Sequence, residues 1–136
     1  KTLDELLGTS DIVSLHCPLI PETEKLIGER ELAFMKPSAF LINTARGPIV
    51  DEDALVAALD EGIASDGTRG ICGAALDVLA DETAPNQALI AHPRCIVTPH
   101  CAYSTQEAYG TVRRMSLQAV VDGLVFNRKP KHTVAE

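Results

Sequence analysis

Arg46 lies in the segment Asn43 to Leu55 (NTARGPIVDEDAL), directly after a short apolar run and directly before a glycine that suits a tight turn. An arginine just past the carboxyl end of a strand sits where open α/β sheets bind ligands. Its planar guanidinium can hold a carboxylate in two parallel charge-assisted hydrogen bonds, which fix orientation as well as position. Local sequence leaves one alternative open, a surface pairing with Asp51 or Glu52. Further along, one apolar run ends in Asp77 with Glu82 five residues later, and another runs into Pro99 and His100. Histidine is the side chain best suited to pass a proton near neutral pH. A carboxylate bonded to its other ring nitrogen keeps the imidazole oriented, so Glu82 and His100 form a candidate acid/base pair. Taken singly, His100 reads first as a hydrogen-bonded structural histidine. His16, His92 and His132 are assigned structural or solvated roles. His16, Cys17, Cys95, His100 and Cys101 lack the spacing of a structural zinc site, so no metal is expected.

These residues need strands to carry them to one edge. Four runs read as strands: Asp11 to His16, Ala39 to Asn43, Ile71 to Asp77 and Cys95 to Thr98. Each is nearly continuous in apolar character, the pattern of parallel strands covered on both faces. Helical signals lie between and after them. Thr2 and Glu5 can form a capping box, in which side chains satisfy the first free backbone donors of a helix. Asp51, Glu52 and Asp53 place negative charge at the positive end of a second helix, in which Leu55 and Leu59 share a face and Gly62 is the expected stop. Ser104 and Glu107 repeat the box before a longer helix, where Ala108, Val112, Met115, Ala119 and Leu124 mark a buried stripe. Ile63 to Gly70 reads as an exposed, mobile connection, and 127–136 as a frayed tail. Alternating helix and strand implies α/β with right-handed crossovers.

Composition narrows the function. A chain of 136 residues that is 46% apolar can build one real core. Nineteen acidic against twelve basic residues give a net charge of −7, which disfavours nucleic acid and anionic membrane surfaces as partners. There is no apolar stretch of transmembrane length and no signal-peptide pattern, so a soluble protein is expected. Four cysteines without a CxxC pair, three of them in or beside apolar runs, read as small buried hydrophobes of a reducing cytoplasm.

The order HCPLIPET (His16 to Thr23), NTARGPIVDEDAL, GAALDVLADE (Gly73 to Glu82) and TPHCAYS (Thr98 to Ser104) resembles the D-isomer-specific 2-hydroxyacid dehydrogenase family over nearly the whole chain. The family's members include phosphoglycerate dehydrogenases and C-terminal-binding-protein-like relatives. The resemblance implies two Rossmann-type domains, one catalytic and one binding NAD, with a 2-hydroxy or 2-keto acid and the nicotinamide meeting between them. By this resemblance Arg46 binds the substrate carboxylate and carbonyl, His100 donates a proton to the carbonyl oxygen, and Glu82 holds His100. Asp77 accepts from the nicotinamide amide. Cys17, Pro18, Thr23 and the backbone at Thr44 and Ala45 line the dinucleotide, with Ala102 beside the nicotinamide. A cytoplasmic homodimer is implied as well.

The chain also departs from the family's pattern. Thr83 stands where a proline usually follows the glutamate, and Leu79-Ala80 replaces an aromatic-acidic pair. The loop between Gly62 and Gly73 is longer than usual. No GxGxxG precedes the first strand and no acidic ribose-reading residue follows one. The expected fold class is therefore α/β, a partial Rossmann-type (doubly wound) domain with a mainly parallel sheet. Residues 1–136 would be the second half of the NAD-binding domain, without the substrate domain. Alone, such a piece should bind NAD weakly and turn over negligibly, because pyrophosphate sits at the first half's helix N-terminus. The alternative of a different class is an NAD-sensing co-repressor-like binding module without significant dehydrogenase activity.

Overall fold

The computed structural model describes residues 2–129. In chain order the elements are α1 (Leu3–Thr9), β1 (Ile12–Leu15), α2 (Glu29–Phe34), β2 (Phe40–Asn43), a 3-10 turn (Gly47–Ile49), α3 (Glu52–Ala64), β3 (Gly73–Leu76), α4 (Gln87–Ala91), β4 (Cys95–Val97) and α5 (Gln106–Leu124). The chain divides into two compact units after Cys101.

The expected capping box opens α1, with Thr2 Oγ1 accepting from the Glu5 amide at 3.2 Å and Glu5 Oε2 accepting from the Thr2 amide at 3.0 Å. Asp51 caps α3 by accepting from the Ala54 amide at 3.2 Å. That helix runs through Gly62 to Ala64 instead of stopping at the glycine. Gly62 answers to packing: a Cβ there would lie 2.4 Å from the Ile71 carbonyl oxygen. The turn comes later, where Asp66, Gly67 and Gly70 take positive φ. This connection is exposed from Ala64 to Arg69 apart from half-buried Ser65, whose hydroxyl accepts from the Arg69 amide at 2.9 Å. Two short helices, α2 and α4, lie outside the sequence expectations.

All four strands fall within the expected runs and pair in parallel in the order β1-β2-β3-β4, with Val13, Leu41, Ala74 and Cys95 in one row. Strands laid down in sequence by right-handed crossovers place their helices on one face. There Val13, Leu15, Leu41, Ala74 and Leu76 pack with Leu7, Leu32, Leu55, Leu59 and Leu89 in the core. Among the described residues the expectation that the strands are covered on both faces is not met. Their other face keeps Ile12 62%, Phe40 46% and Ile96 67% exposed.

In the second unit, α5 starts one residue later than expected. Thr105, not Ser104, caps it, accepting from the Ala108 amide at 3.0 Å. Within this unit Val112, Met115 and Leu124 are exposed and Ala108 and Ala119 half-buried, so the unit does not itself bury the stripe expected along this helix. No helix among the described residues is long and apolar enough to cross a membrane. His132 and most of the tail lie outside the described residues.

Candidate active site

The carboxyl ends of the strands carry the candidate residues, and each is held by a local device. After β2, the buried side chain of Asn43 shapes the turn that presents Arg46. Its Oδ1 accepts from the Ala45 amide at 3.0 Å and its Nδ2 donates to the Arg46 carbonyl at 2.9 Å. Arg46 itself is exposed, with Nη1 donating to the Ala45 carbonyl at 2.7 Å. The alternative surface pairing is not found, because Asp51 takes Lys25 at 2.9 Å and Glu52 takes the Ala80 amide at 2.6 Å.

After β4, His100 adopts φ 51°, a left-handed conformation that costs a non-glycine residue about 1–2 kcal/mol. Strain of this kind persists only where surrounding bonds hold it. Here the His100 amide donates to the Thr98 carbonyl at 3.0 Å, and the next amide, of Cys101, donates to Asp77 Oδ1 at 2.8 Å. The same Oδ1 accepts from Thr98 Oγ1 at 2.5 Å. Asp77 is therefore a buried carboxylate at the end of the central β3, gripped by the loop that follows β4.

His100 Nδ1 lies 2.8 Å from Glu82 Oε1. The carboxylate fixes the proton of neutral imidazole on Nδ1, which makes Nε2 the acceptor of that form; in the imidazolium both nitrogens donate. Asp77, Glu82 and His100 line one cavity of about 380 Å³, together with Thr98 and Pro99. A second cavity of about 580 Å³ is lined by His16, Cys17, Pro18, Thr44, Ala45 and Arg46. Arg46 is thus not in the same cavity as the pair. It stands past β2 and His100 past β4, on either side of β3, so their strands are two spacings, roughly 10 Å, apart along one edge.

Thr23 does not line either cavity; its hydroxyl donates to the Pro18 carbonyl at 2.7 Å and accepts from the Ile20 amide at 2.9 Å, tying off the loop after β1. Ala102 belongs to the second unit. His16 is exposed and 2.8 Å from Ser14 Oγ. His92 is buried, with Nδ1 accepting from the Arg94 amide at 3.1 Å. All four cysteines are free. Cys17, Cys72 and Cys95 are half-buried instead of fully buried, and Cys101 is exposed. Burial, and then the nearby negative charge of Glu52, push the Cys95 thiol up to about 11. Among the described residues no group of three or more His, Cys, Asp or Glu side chains is placed to hold a metal ion.

Sequence reasoning did not single out Thr98 or the side chain of Asn43, and it reads Glu52 only as helix-start charge or a surface partner of Arg46. Only Asn43 carried a usable signal, as a polar residue ending an apolar strand.

The family model of the NAD-binding domain of D-isomer specific 2-hydroxyacid dehydrogenases matches residues 1–102. The chain belongs to this family. Among its relatives, a glyoxylate reductase of Aeropyrum pernix is 45% identical over 93% of this chain and 35% of its own length. The chloroplastic D-3-phosphoglycerate dehydrogenase 2 of Arabidopsis thaliana is 42% identical over 90% of this chain and 19% of its own. The solved structure of Lactobacillus jensenii D-lactate dehydrogenase with NAD+ superimposes with a TM-score of 0.87 at 35% identity, covering 100% of this chain and 43% of that one. The chain spans well under half the length of these 2-hydroxyacid dehydrogenases, and the match is to their Rossmann-like, NAD-binding part.

Proposed function

We propose that this chain supplies the nicotinamide-side half of an active site that interconverts a 2-keto acid and a D-2-hydroxy acid. The observation that carries the reading is the Glu82–His100 pair, held at 2.8 Å by a strained backbone at the carboxyl edge of a parallel sheet that also presents Arg46.

The trough lined by Cys17, Pro18, Thr44, Ala45 and Arg46 has the volume of a small-molecule site and opens at the strand ends, where doubly wound sheets take nucleotides. The trough would hold the ribose of NAD's nicotinamide half, and Asp77, which lines the neighbouring cavity at the end of the central strand, would accept from the nicotinamide amide. NAD(H), when bound, supplies the hydride chemistry. The protein's own residues do the rest. Arg46 grips the carboxylate and polarises the neighbouring carbonyl. Imidazolium His100 places its Nε2 proton toward the carbonyl oxygen and takes it back in the reverse direction. Glu82 holds the ring in that orientation through Nδ1.

The same reading includes a homodimer and a cytoplasmic location. The free thiols fit a reducing compartment, and the net charge of −7 disfavours polyanionic partners.

Two preparations test the reading: the protein as its gene encodes it, and residues 1–136 alone. Each is assayed for NADH oxidation with glyoxylate, hydroxypyruvate and pyruvate. The encoded protein should turn over at least one acid and the isolated chain should be negligibly active. Turnover at ordinary enzyme rates by residues 1–136, or none by the encoded protein, contradicts it.

A further inference from the structure

Glu52 opens α3, where any acidic side chain is favoured by the helix dipole and none needs a further role. Its carboxylate nevertheless reaches across to the Ala80 amide, twenty-eight residues on, at 2.6 Å. Ala80 lies two residues before Glu82. The backbone beside it is pressed onto the turn that presents Arg46: a Cβ on Gly47 would fall 2.0 Å from both the carbonyl carbon and the oxygen of Leu79.

The Arg46 turn and the Glu82 loop, which meet beside this bond, are each tied by hydrogen bonds of their own. The Arg46 turn is fixed by the two hydrogen bonds of Asn43. The loop at Glu82 is fixed by Asp81, whose Oδ1 accepts from the Thr83 amide at 2.9 Å, the Thr83 hydroxyl at 2.7 Å and the Ala84 amide at 3.1 Å. At the joint between them the side-chain tie is the Glu52–Ala80 bond, and a charge-assisted hydrogen bond is the stronger kind. Glu52 spans that joint.

We propose that Glu52 is a positioning residue for the reaction, holding the Glu82 loop against the Arg46 turn so that the guanidinium and the carboxylate-oriented imidazole keep a fixed separation. This rests on the dehydrogenase reading. Misplacing a reacting group by about an ångström is enough to slow chemistry up to about a hundredfold. The bond touches neither cavity's cofactor-facing residues, so its loss should fall on kcat and not on cofactor affinity.

Two opposed substitutions in the protein as its gene encodes it separate the brace from the helix charge. Glu52→Asp keeps the charge at the start of α3 but withdraws the oxygen by one methylene; Glu52→Gln loses the charge but keeps an acceptor of the right length. Glu52→Asp should lower kcat for a 2-keto acid about tenfold, with KM for NADH unchanged within about twofold. It should also speed hydrogen exchange at the Ala80 amide. Glu52→Gln should keep most of kcat and the protection. The reverse pattern, or wild-type kcat and exchange in both variants, overturns the proposal. If the unsubstituted protein reduces no 2-keto acid, the functional reading fails, while Ala80 exchange in the same variants still decides whether the brace exists.

Discussion

Replacing Gly47 with alanine probes the joint between the Arg46 turn and the Glu82 loop most severely. The added Cβ would meet Leu79 C and O at 2.0 Å and Ala80 N at 2.4 Å. Ordinary carbon contacts begin near ~3.5 Å, so the loop must retreat by more than an ångström. All three atoms are backbone, and Ala80 is additionally tied to Glu52, so no flexible side-chain end can swing away. Overpacking of this kind costs about 1–3 kcal/mol, and rigid neighbours place Gly47→Ala at the upper end. Gly123 in α5 is the control. A Cβ there meets nothing within 4 Å, so Gly123→Ala should stabilise by about 0.5–1 kcal/mol through helix propensity. Urea unfolding measures both. Gly47→Ala should lower the midpoint without changing the slope, and Gly123→Ala should leave it equal or higher. A Gly47→Ala midpoint at or above the unsubstituted protein's would refute the close-approach argument.

Two further outcomes follow from the titrating groups. The Lys25 ammonium, and then the Ala54 amide, hold the Asp51 carboxyl below the usual aspartate range. Its stabilisation is therefore complete above the ordinary value near ~3.9 and is lost as pH falls through the lower folded value. Asp51→Ala should cost about 0.5–2 kcal/mol at neutral pH, as a lost helix cap, with the gap closing in acid; a gap that widens in acid would show the sign to be wrong. Thiol labelling with iodoacetamide at mildly alkaline pH should modify exposed Cys101 early and Cys95 last, because a thiol raised to about 11 offers little thiolate. Equal rates at the two positions would contradict the burial assigned to Cys95.

The sequence was most legible where one local rule decided the outcome. Continuous β-branched and aliphatic runs located all four strands, and the Thr2–Glu5 and Asp51 caps located two helix starts. Helices α2 and α4, of six and five residues, are too short to show a periodicity. Ser104 and Thr105 are adjacent hydroxyls, and counting to Glu107 favoured the wrong one. Gly62 looked like a stop signal because glycine serves turns and close packing alike, and only the Ile71 carbonyl separates the two uses. Apolar strands suggest two covered faces, and the described residues cover one, with Ile12, Phe40 and Ile96 exposed on the other. In the site, Arg46 and His100 are visible as motif residues just past strand ends, and Glu82 as a motif residue in the loop after β3. The bonds that position them, Thr98 to Asp77 and Glu52 to Ala80, join residues 21 and 28 apart, and no local pattern announces such pairs.

The central claim is that Glu82 acts through His100 on a 2-keto acid. A double-substitution cycle with Glu82→Gln and His100→Gln, read as kcat/KM in the protein as its gene encodes it, tests that claim most directly. His100→Gln should lower kcat/KM by about 10²–10⁴, the range of a general acid, and Glu82→Gln by a smaller factor. With His100 already replaced, adding Glu82→Gln should change nothing further. Losses that multiply would show that the two residues act independently, against the pair on which the account stands.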